Sequence, residues 1–426
     1  MDILIRAVRV INPLSSLHQK VVDVHISKGI IQAIGEKLAR PADVDEWYSE
    51  GHCLSPGWVD LHTYCFDPGF EQRETLPSAM TAAAAGGFTH ICTMPHTLPV
   101  TQNKAQIDYQ LQKAAGQPVR ILPVGALSHQ LEGRELAELF ELHEAGAIAF
   151  SDGLKPSPSA GFMERALLYS KAFNGLVMAH AEDASLAKNG VMHEGVRSTM
   201  TGLPGLPEIS ETLAVAQWLS VLEYTGGRLH FLDLSTQQSI DLVQQAATKG
   251  LAVTASVNAY QVAATDEQVD PADARWKVNP PLRNQATASF LLRALTNTSN
   301  TLFNFSSQHR PLEEDVKRVE FDKAGFGFAG LETAYALVNS AIDEATDDSW
   351  VATAFSLNAR KALQIPLPGF KQGEMADMTL FSPTKKWTVS ESSLFSKSKN
   401  TPFLGRELTG QVLGIINNNH SYYYGR

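Results

Sequence analysis

Between residues 54 and 306 the chain repeats one pattern, a short apolar run followed by a segment with helical periodicity. The runs fall at 54–61, 88–94, 119–125, 147–150, 176–179, 228–234, 251–257 and 302–306. Helix-like segments lie between them at 76–85, 103–115, 132–145, 160–173, 208–224, 236–248 and 285–296. Apolar runs this short, bounded by polar turns, read as strands buried on both faces. One helix start is explicit, with Thr236 just ahead of the amphipathic run of Ile240, Leu242 and Val243. Eight strands alternating with helices over about 250 residues is the count and size of a (β/α)8 TIM-type barrel. A doubly wound sheet alternates in the same way, but it needs a switch point and usually a Gly-rich phosphate loop, and neither is found.

The ends of the chain read differently. Residues 3–11 and 21–34 alternate apolar and polar positions around a Lys28-Gly29 turn, and strand character returns over 376–426, at 378–381 and 412–416. Two closing helices are expected at 330–343 and 349–363. The division is therefore 1–53 as the N-terminal part of a small β-sandwich, 54–365 as the barrel, and 366–426 as the C-terminal part of the sandwich. A net charge of −10 argues against a nucleic-acid partner, which would favour a basic face. Cys53, Cys65 and Cys92 form neither a CxxC pair nor a disulfide framework, which suits reduced thiols in the cytoplasm. The N-terminus lacks the pattern of a signal peptide, and no stretch approaches the roughly 18 apolar residues of a membrane span.

In such a barrel, chemistry is placed at the C-terminal ends of the strands. Those ends offer His62, Tyr64, Phe66 and Asp67; Met94-Pro95-His96; Ser151-Asp152-Gly153; His180 through Asp183; Asp233 through Thr236; Ser256 and Asn258; and Ser307, Gln308 and His309. His62 is half of a two-histidine clamp, because residues i and i+2 of a strand point the same way, and position i+2 is Tyr64. A zinc ion needs about four N, S or carboxylate ligands, which His62, Asp152, His180 and Asp233 could supply. The plainer alternative is that all four are ordinary polar residues at a barrel mouth.

Pro-Gly-Trp-Val-Asp-Leu-His at 56–62, Asp67-Pro68-Gly69, Glu74-Thr75 and the run from Ala82 to Thr89 resemble the signature of the dihydroorotases, within the amidohydrolase superfamily. The likeness continues through Phe150-Ser151-Asp152, Ala179-His180-Ala181-Glu182-Asp183, Met192-His193-Glu194-Gly195 and Lys277 to Arg283. It extends to Gly330-Leu331-Glu332-Thr333 and Ser396 to Phe403, covering nearly the whole chain in order. The resemblance implies the same barrel and β-sandwich. It implies reversible ring closure of carbamoyl-aspartate to dihydroorotate, with one or two zinc ions activating hydroxide and a strand-8 aspartate shuttling the proton.

The chain departs from that pattern where the chemistry sits. The family's His-x-His-x-Arg reads His62-Thr63-Tyr64-Cys65-Phe66, and its Met-Pro-Asn reads Met94-Pro95-His96. Its strand-6 histidine is Asp233, and its Thr-Asp-His-Ala-Pro-His reads Ser307-Gln308-His309-Arg310-Pro311-Leu312. Tyrosine must ionise to bind a metal strongly. Phe66 cannot hold a carboxylate as a guanidinium does. Gln308, at the general-base position, takes no proton near neutrality. Dihydroorotase activity is therefore expected to be absent, with no catalytic residue retained and the family's zinc in doubt. The role expected instead is that of a structural partner, since some inactive relatives assemble with aspartate transcarbamoylase, and a homo-oligomer is expected. The alternative is an active amidohydrolase with an altered mononuclear site. Asn279 stands at a family substrate-binding position, although a loop-stabilising role suits it and Arg283 better. His193 and Glu194 read as loop or helix anchors, and His18, His25, His52, His129, His143 and His420 as surface residues. Whether Ser307, Gln308 or His309 points inward is left open.

Overall fold

The computed structural model describes residues 1–343 and 346–424. The N-terminal part supplies β1 (Asp2–Val10), β2 (Val21–Ser27), β3 (Ile30–Gly35), β4 (Asp45–Tyr48) and β5 (Cys53–Pro56). The barrel begins with β6 (Trp58–Thr63), β7 (Phe88–Thr93), β8 (Arg120–Ala126), β9 (Ala149–Ser151) and β10 (Leu176–His180). A loop carrying the short parallel pair β11 (Met192–His193) and β12 (Gly205–Leu206) follows. The barrel then resumes with β13 (Arg228–Leu232), β14 (Val253–Asn258) and β15 (Phe303–Ser306), and the chain ends with β16 (Met378–Thr388), β17 (Glu407–Asn417) and β18 (His420–Tyr423).

The barrel strands pair in the order β15-β14-β13-β10-β9-β8-β7-β6. The first and last are joined at the C-terminal rim, where Thr63 bridges His309 and the Tyr64 amide donates to the His309 carbonyl at 2.8 Å. Alternation sorts the side chains. Val59, Leu61, Cys92, Met94, Val124, Leu176, Met178 and Leu232 fill the interior as one cluster. Ile91, Val177, Leu229, Phe231, Val253 and Ala255 pack outward in another cluster, with Val215 and Trp218 of helix Glu208–Thr225 and Ile240 and Val243 of helix Gln237–Thr248. The expected helix start at Thr236 holds, since its hydroxyl accepts from the Ser239 amide and caps Gln237–Thr248.

Strands from both termini share a separate sheet, ordered β18-β17-β16-β5-β1-β2-β3 with β4 beside β1. Trp47 of β4 stacks on Tyr423 of β18 at 4.3 Å, so the sheet folds over and closes around Ile3, Ile5, Val24, Met378, Leu413 and Ile416. The apolar run read as one strand over 54–61 divides at Gly57. Residues before it pair with β16 and β1, and residues after it enter the barrel. No side chain fits at the division, because a Cβ on Gly57 would lie 2.0 Å from Asp377 Oδ1 and 2.3 Å from Thr89 Oγ1. Arg360 fastens the joint, donating to the Gly57 carbonyl at 2.9 Å and to Asp377 at 2.6 Å. Two other expectations shift. Over 132–145 only Leu139–Glu144 is helical, and the segment at 349–363 passes through a π-helical turn at Thr353–Leu357. No helix among the described residues is long and apolar enough to cross a membrane.

Candidate functional site at the barrel mouth

The strand ends meet in a buried hydrogen-bond network centred on Asp233. Ser306 Oγ donates to Asp233 Oδ1 at 2.6 Å, Gln308 Nε2 donates to Oδ2 at 2.9 Å, and His62 Nδ1 bonds the same Oδ2. Burial works to raise the Asp233 pKa, but His62, Ser306 and Gln308 outweigh it, and the group stays below its ordinary carboxylate value. Gln308 is occupied at both ends. Its amide nitrogen also donates to the Asn279 carbonyl at 2.6 Å, and its oxygen accepts from Tyr260 OH at 2.7 Å. Asn258 closes the ring, with its Oδ1 2.8 Å from Ser306 Oγ and its amide donating to Tyr260 OH at 2.9 Å.

Tyr64 covers this network from the side. Burial pushes its phenol up to about 12, so it keeps its proton. The oxygen accepts from the Leu154 amide at 3.2 Å, and the O–H is then free to donate to His62 Nε2, also at 3.2 Å. Both ring nitrogens of His62 are thereby used within the protein. Around the Tyr64 ring stand Phe66, stacked at 5.5 Å, His96, edge-on at 5.1 Å, and the Arg310 guanidinium, with Cζ 5.3 Å from the ring centroid.

The four candidate ligands do not come together as one set. Asp152 turns to the loop after β8, accepting from the Leu127 and Ser128 amides at 3.0 and 2.9 Å and from Ser128 Oγ at 2.5 Å. Burial raises its pKa and these bonds offset part of the rise. His180 continues the inward row of Leu176 and Met178, with Glu182 Oε2 3.6 Å from its Nε2. Among the described residues no three His, Cys, Asp or Glu side chains could hold one metal ion. The donor chemistry gives the same answer. His62 and Asp233 would have to break existing hydrogen bonds to free a lone pair, and Asp152 is held toward the loop after β8, so these residues do not fit the zinc that the resemblance implies.

Asn279 donates to Glu182 Oε2 at 3.0 Å, so its side chain is held within the protein. Arg283 donates to Ser235 Oγ at 3.0 Å and to the Leu206 carbonyl at 3.2 Å, beside a Glu211 that accepts from the Ser235 and Thr236 amides. The last strand is also resolved. Gln308 faces the mouth, Ser307 donates to Asp60 at 2.7 Å, and His309 lies 3.2 Å from Glu74. Sequence reasoning gave no role to Glu74, which ties helix Leu76–Ala85 to the segment near Ser396 and Lys397. It also missed Tyr260 and Arg310. For Arg310 a signal existed, since a long cation replaces the family pattern's alanine.

Comparison with known proteins agrees with this architecture. A family model described as dihydro-orotase-like matches residues 51–239. The chain is 38% identical to the dihydroorotase of Syntrophus aciditrophicus over 416 residues, covering 97% of both proteins. It is 35% identical to that of Trichlorobacter lovleyi over the full length of both. Among solved structures, the L-hydantoinase of Arthrobacter aurescens superposes with a TM-score of 0.83 at 20% identity, over 99% of this chain and 95% of that one. A dihydropyrimidinase from Brevibacillus agri superposes with a TM-score of 0.79 at 20% identity, covering 99% and 95%. These two likenesses establish the fold.

Proposed function

This chain belongs to the dihydroorotase family, and from that premise we propose that it has left the family's chemistry and acts in the cytoplasm as a structural partner. Aspartate transcarbamoylase is the first partner to test. One observation carries the reading. At the mouth, His62 and Gln308 both bond to Asp233, and Tyr64 bonds to His62. Opening a cyclic amide needs a hydroxide nucleophile, a group that accepts and returns a proton, and an anchor for the substrate carboxylate. Gln308 is an amide already engaged at both ends, and Phe66 lies under the Arg73 guanidinium at 5.2 Å, where it offers no charge to a substrate. The test has two arms. Purified protein, with and without added zinc, is assayed for turnover of carbamoyl-aspartate and dihydroorotate. The same protein is mixed with aspartate transcarbamoylase and sized by light scattering. No turnover together with a stable complex supports the reading, and enzyme-like turnover by the chain alone overturns it.

A second reading, an active amidohydrolase with a changed mononuclear site, has one observation in its favour. His180 Nδ1 is buried with no hydrogen-bond partner, and Nε2 faces only Glu182 Oε2 at 3.6 Å, beyond hydrogen-bond length. Elemental analysis after growth with added zinc, manganese or iron separates the two, since the second reading requires a stoichiometric metal.

A further inference from the structure

Lys317 ends the short helix Glu314–Lys317 and is only 6% exposed. Its Nζ donates to the Ala274 carbonyl at 3.0 Å and to the Lys277 carbonyl at 3.1 Å, and among the described residues no third acceptor is bonded to it. An ammonium has three hydrogens to place, whereas a neutral amine has two and a lone pair. The two carbonyls therefore satisfy the neutral amine in full and leave its lone pair unused by the protein. Burial, with Arg310 and Lys277 adding to it against the pull of Asp273, lowers the pKa to about 7.

Lys317 also lines a cavity of about 1070 Å³, at the upper end of small-molecule sites, between its own helix, the loop at 272–275 and the segment 397–400. His62, Asp152, His180, Asp233 and Gln308 do not line it, so it is not part of the network at the strand ends. The acids around the cavity are held by other cations. Asp273 accepts from Arg275 Nε at 2.8 Å and from its Nη2 at 2.7 Å. Glu313 pairs with Arg73 at 2.7 Å, Glu314 with Arg318, and Glu320 with Lys323 at 3.4 Å, while Glu391 is exposed. Lys397 donates to the Glu71 carbonyl, and Lys399 to those of Leu394 and Ser396. Among the described residues no carboxylate makes a direct ion pair that would hold Lys317 protonated.

We propose that Lys317 captures a small aldehyde or ketone in this cavity as an imine. The Nζ lone pair attacks the carbonyl carbon and a C–N bond forms. The carbonyl oxygen then leaves as water, taking both amine hydrogens, so nothing is oxidised or reduced. A desolvated lysine beside other cations is the kind of amine that performs this step. The Ala274 and Lys277 carbonyls lose their donors as the imine forms, and one is recovered when the imine nitrogen takes up a proton. The site uses an amine nucleophile where the family's reaction uses hydroxide, and it stands whether or not the chain opens cyclic amides.

The test treats the full chain with limiting acetaldehyde and cyanoborohydride at about pH 6.5, and maps the ethylated lysines by peptide mass. An ordinary lysine is neutral there roughly a thousandfold less often than Lys317. With access restricted by burial, Lys317 is expected to react at least about tenfold faster than any other ε-amine. Its rate should level off above about pH 8, while those of exposed lysines keep rising to about pH 10. One equivalent of pyridoxal 5′-phosphate gives a second reading, an imine absorption band that Lys317→Met removes. Lys386→Ala, which removes an exposed cation on the terminal sheet, should leave that band unchanged. If Lys317→Met does not fold, the peptide map of the wild-type chain still decides. Labelling of exposed lysines with Lys317 spared, or a Lys317 rate that climbs with pH as theirs do, overturns the proposal.

Discussion

Replacing Asp233 by alanine removes the acceptor on which the mouth converges. Ser306, Gln308 and His62 each lose one of their partners, and Ser256 Oγ, 3.3 Å from Oδ1, loses a weaker one. Asp233 is 1% exposed and His62 and Ser306 are fully buried, so water does not readily replace the carboxylate. A hydrogen bond to a buried carboxylate is worth about 1.5–3 kcal/mol, and His62 and Gln308 each lose one. Ser306 adds little, because its one hydroxyl proton can turn to Asn258 Oδ1, 2.8 Å away. The expected loss for Asp233→Ala is therefore about 3–6 kcal/mol. Asp233→Asn, which keeps the shape and one acceptor oxygen, should lose about half of that. Urea unfolding followed by circular dichroism measures both, comparing the transition that belongs to the barrel, since the terminal sheet can melt separately. The pH dependence gives an independent check. Because the folded pKa lies below the unfolded value, this stabilisation is complete above about pH 4 and is lost as pH falls through the folded pKa. The gap between wild type and Asp233→Ala should therefore narrow on acidification below pH 4. A loss under about 1 kcal/mol for Asp233→Ala at neutral pH would show that the carboxylate does not organise the mouth.

Other perturbations test the same structure. Gly57→Ala places a methyl 2.0 Å from Asp377 Oδ1 and should cost roughly 3 kcal/mol by overpacking, seen as a lowered urea midpoint. Lys317 is buried, and burial, with Arg310 and Lys277 adding to it, brings its pKa down to about 7. The unfolded lysine holds its proton to about pH 10.4, so stability should rise with pH above 7 by up to about 1.4 kcal/mol per unit. Lys317→Met should flatten that slope in urea titrations at successive pH values. Restoring the family residues together, as Tyr64→His, Phe66→Arg, His96→Asn, Asp233→His and Gln308→Asp, should give stoichiometric zinc by elemental analysis and measurable ring closure. Tyr64→His alone should give neither.

Much of the fold was legible because it depends on local pattern. The apolar runs, their length and their alternation with helical segments define a barrel before any contact is known, and Thr236 shows its capping role in sequence. Inward direction could be read for His180, since it follows Leu176 and Met178 at period two. The division of the first barrel run was not legible, because Gly57 is required by Asp377, 320 positions later in the chain. The direction of Asp152 was hidden for a similar reason. Its partners, Leu127 and Ser128, lie on the loop after another strand.

The residue types at the strand ends determine what this chain can and cannot do chemically, since no tertiary contact turns Gln308 into a base or Phe66 into a cation. What those residues do instead was decided only by their neighbours in space. Asp233 had the chemistry of a metal ligand, and became the centre of a hydrogen-bonded ring because His62, Ser306 and Gln308 reach it from two other places in the sequence. Arg310 carries a charge in any fold. Only the packed mouth sets that charge against the Tyr64 ring, with Cζ 5.3 Å from its centroid, because Tyr64 and Arg310 come from opposite ends of the barrel sequence.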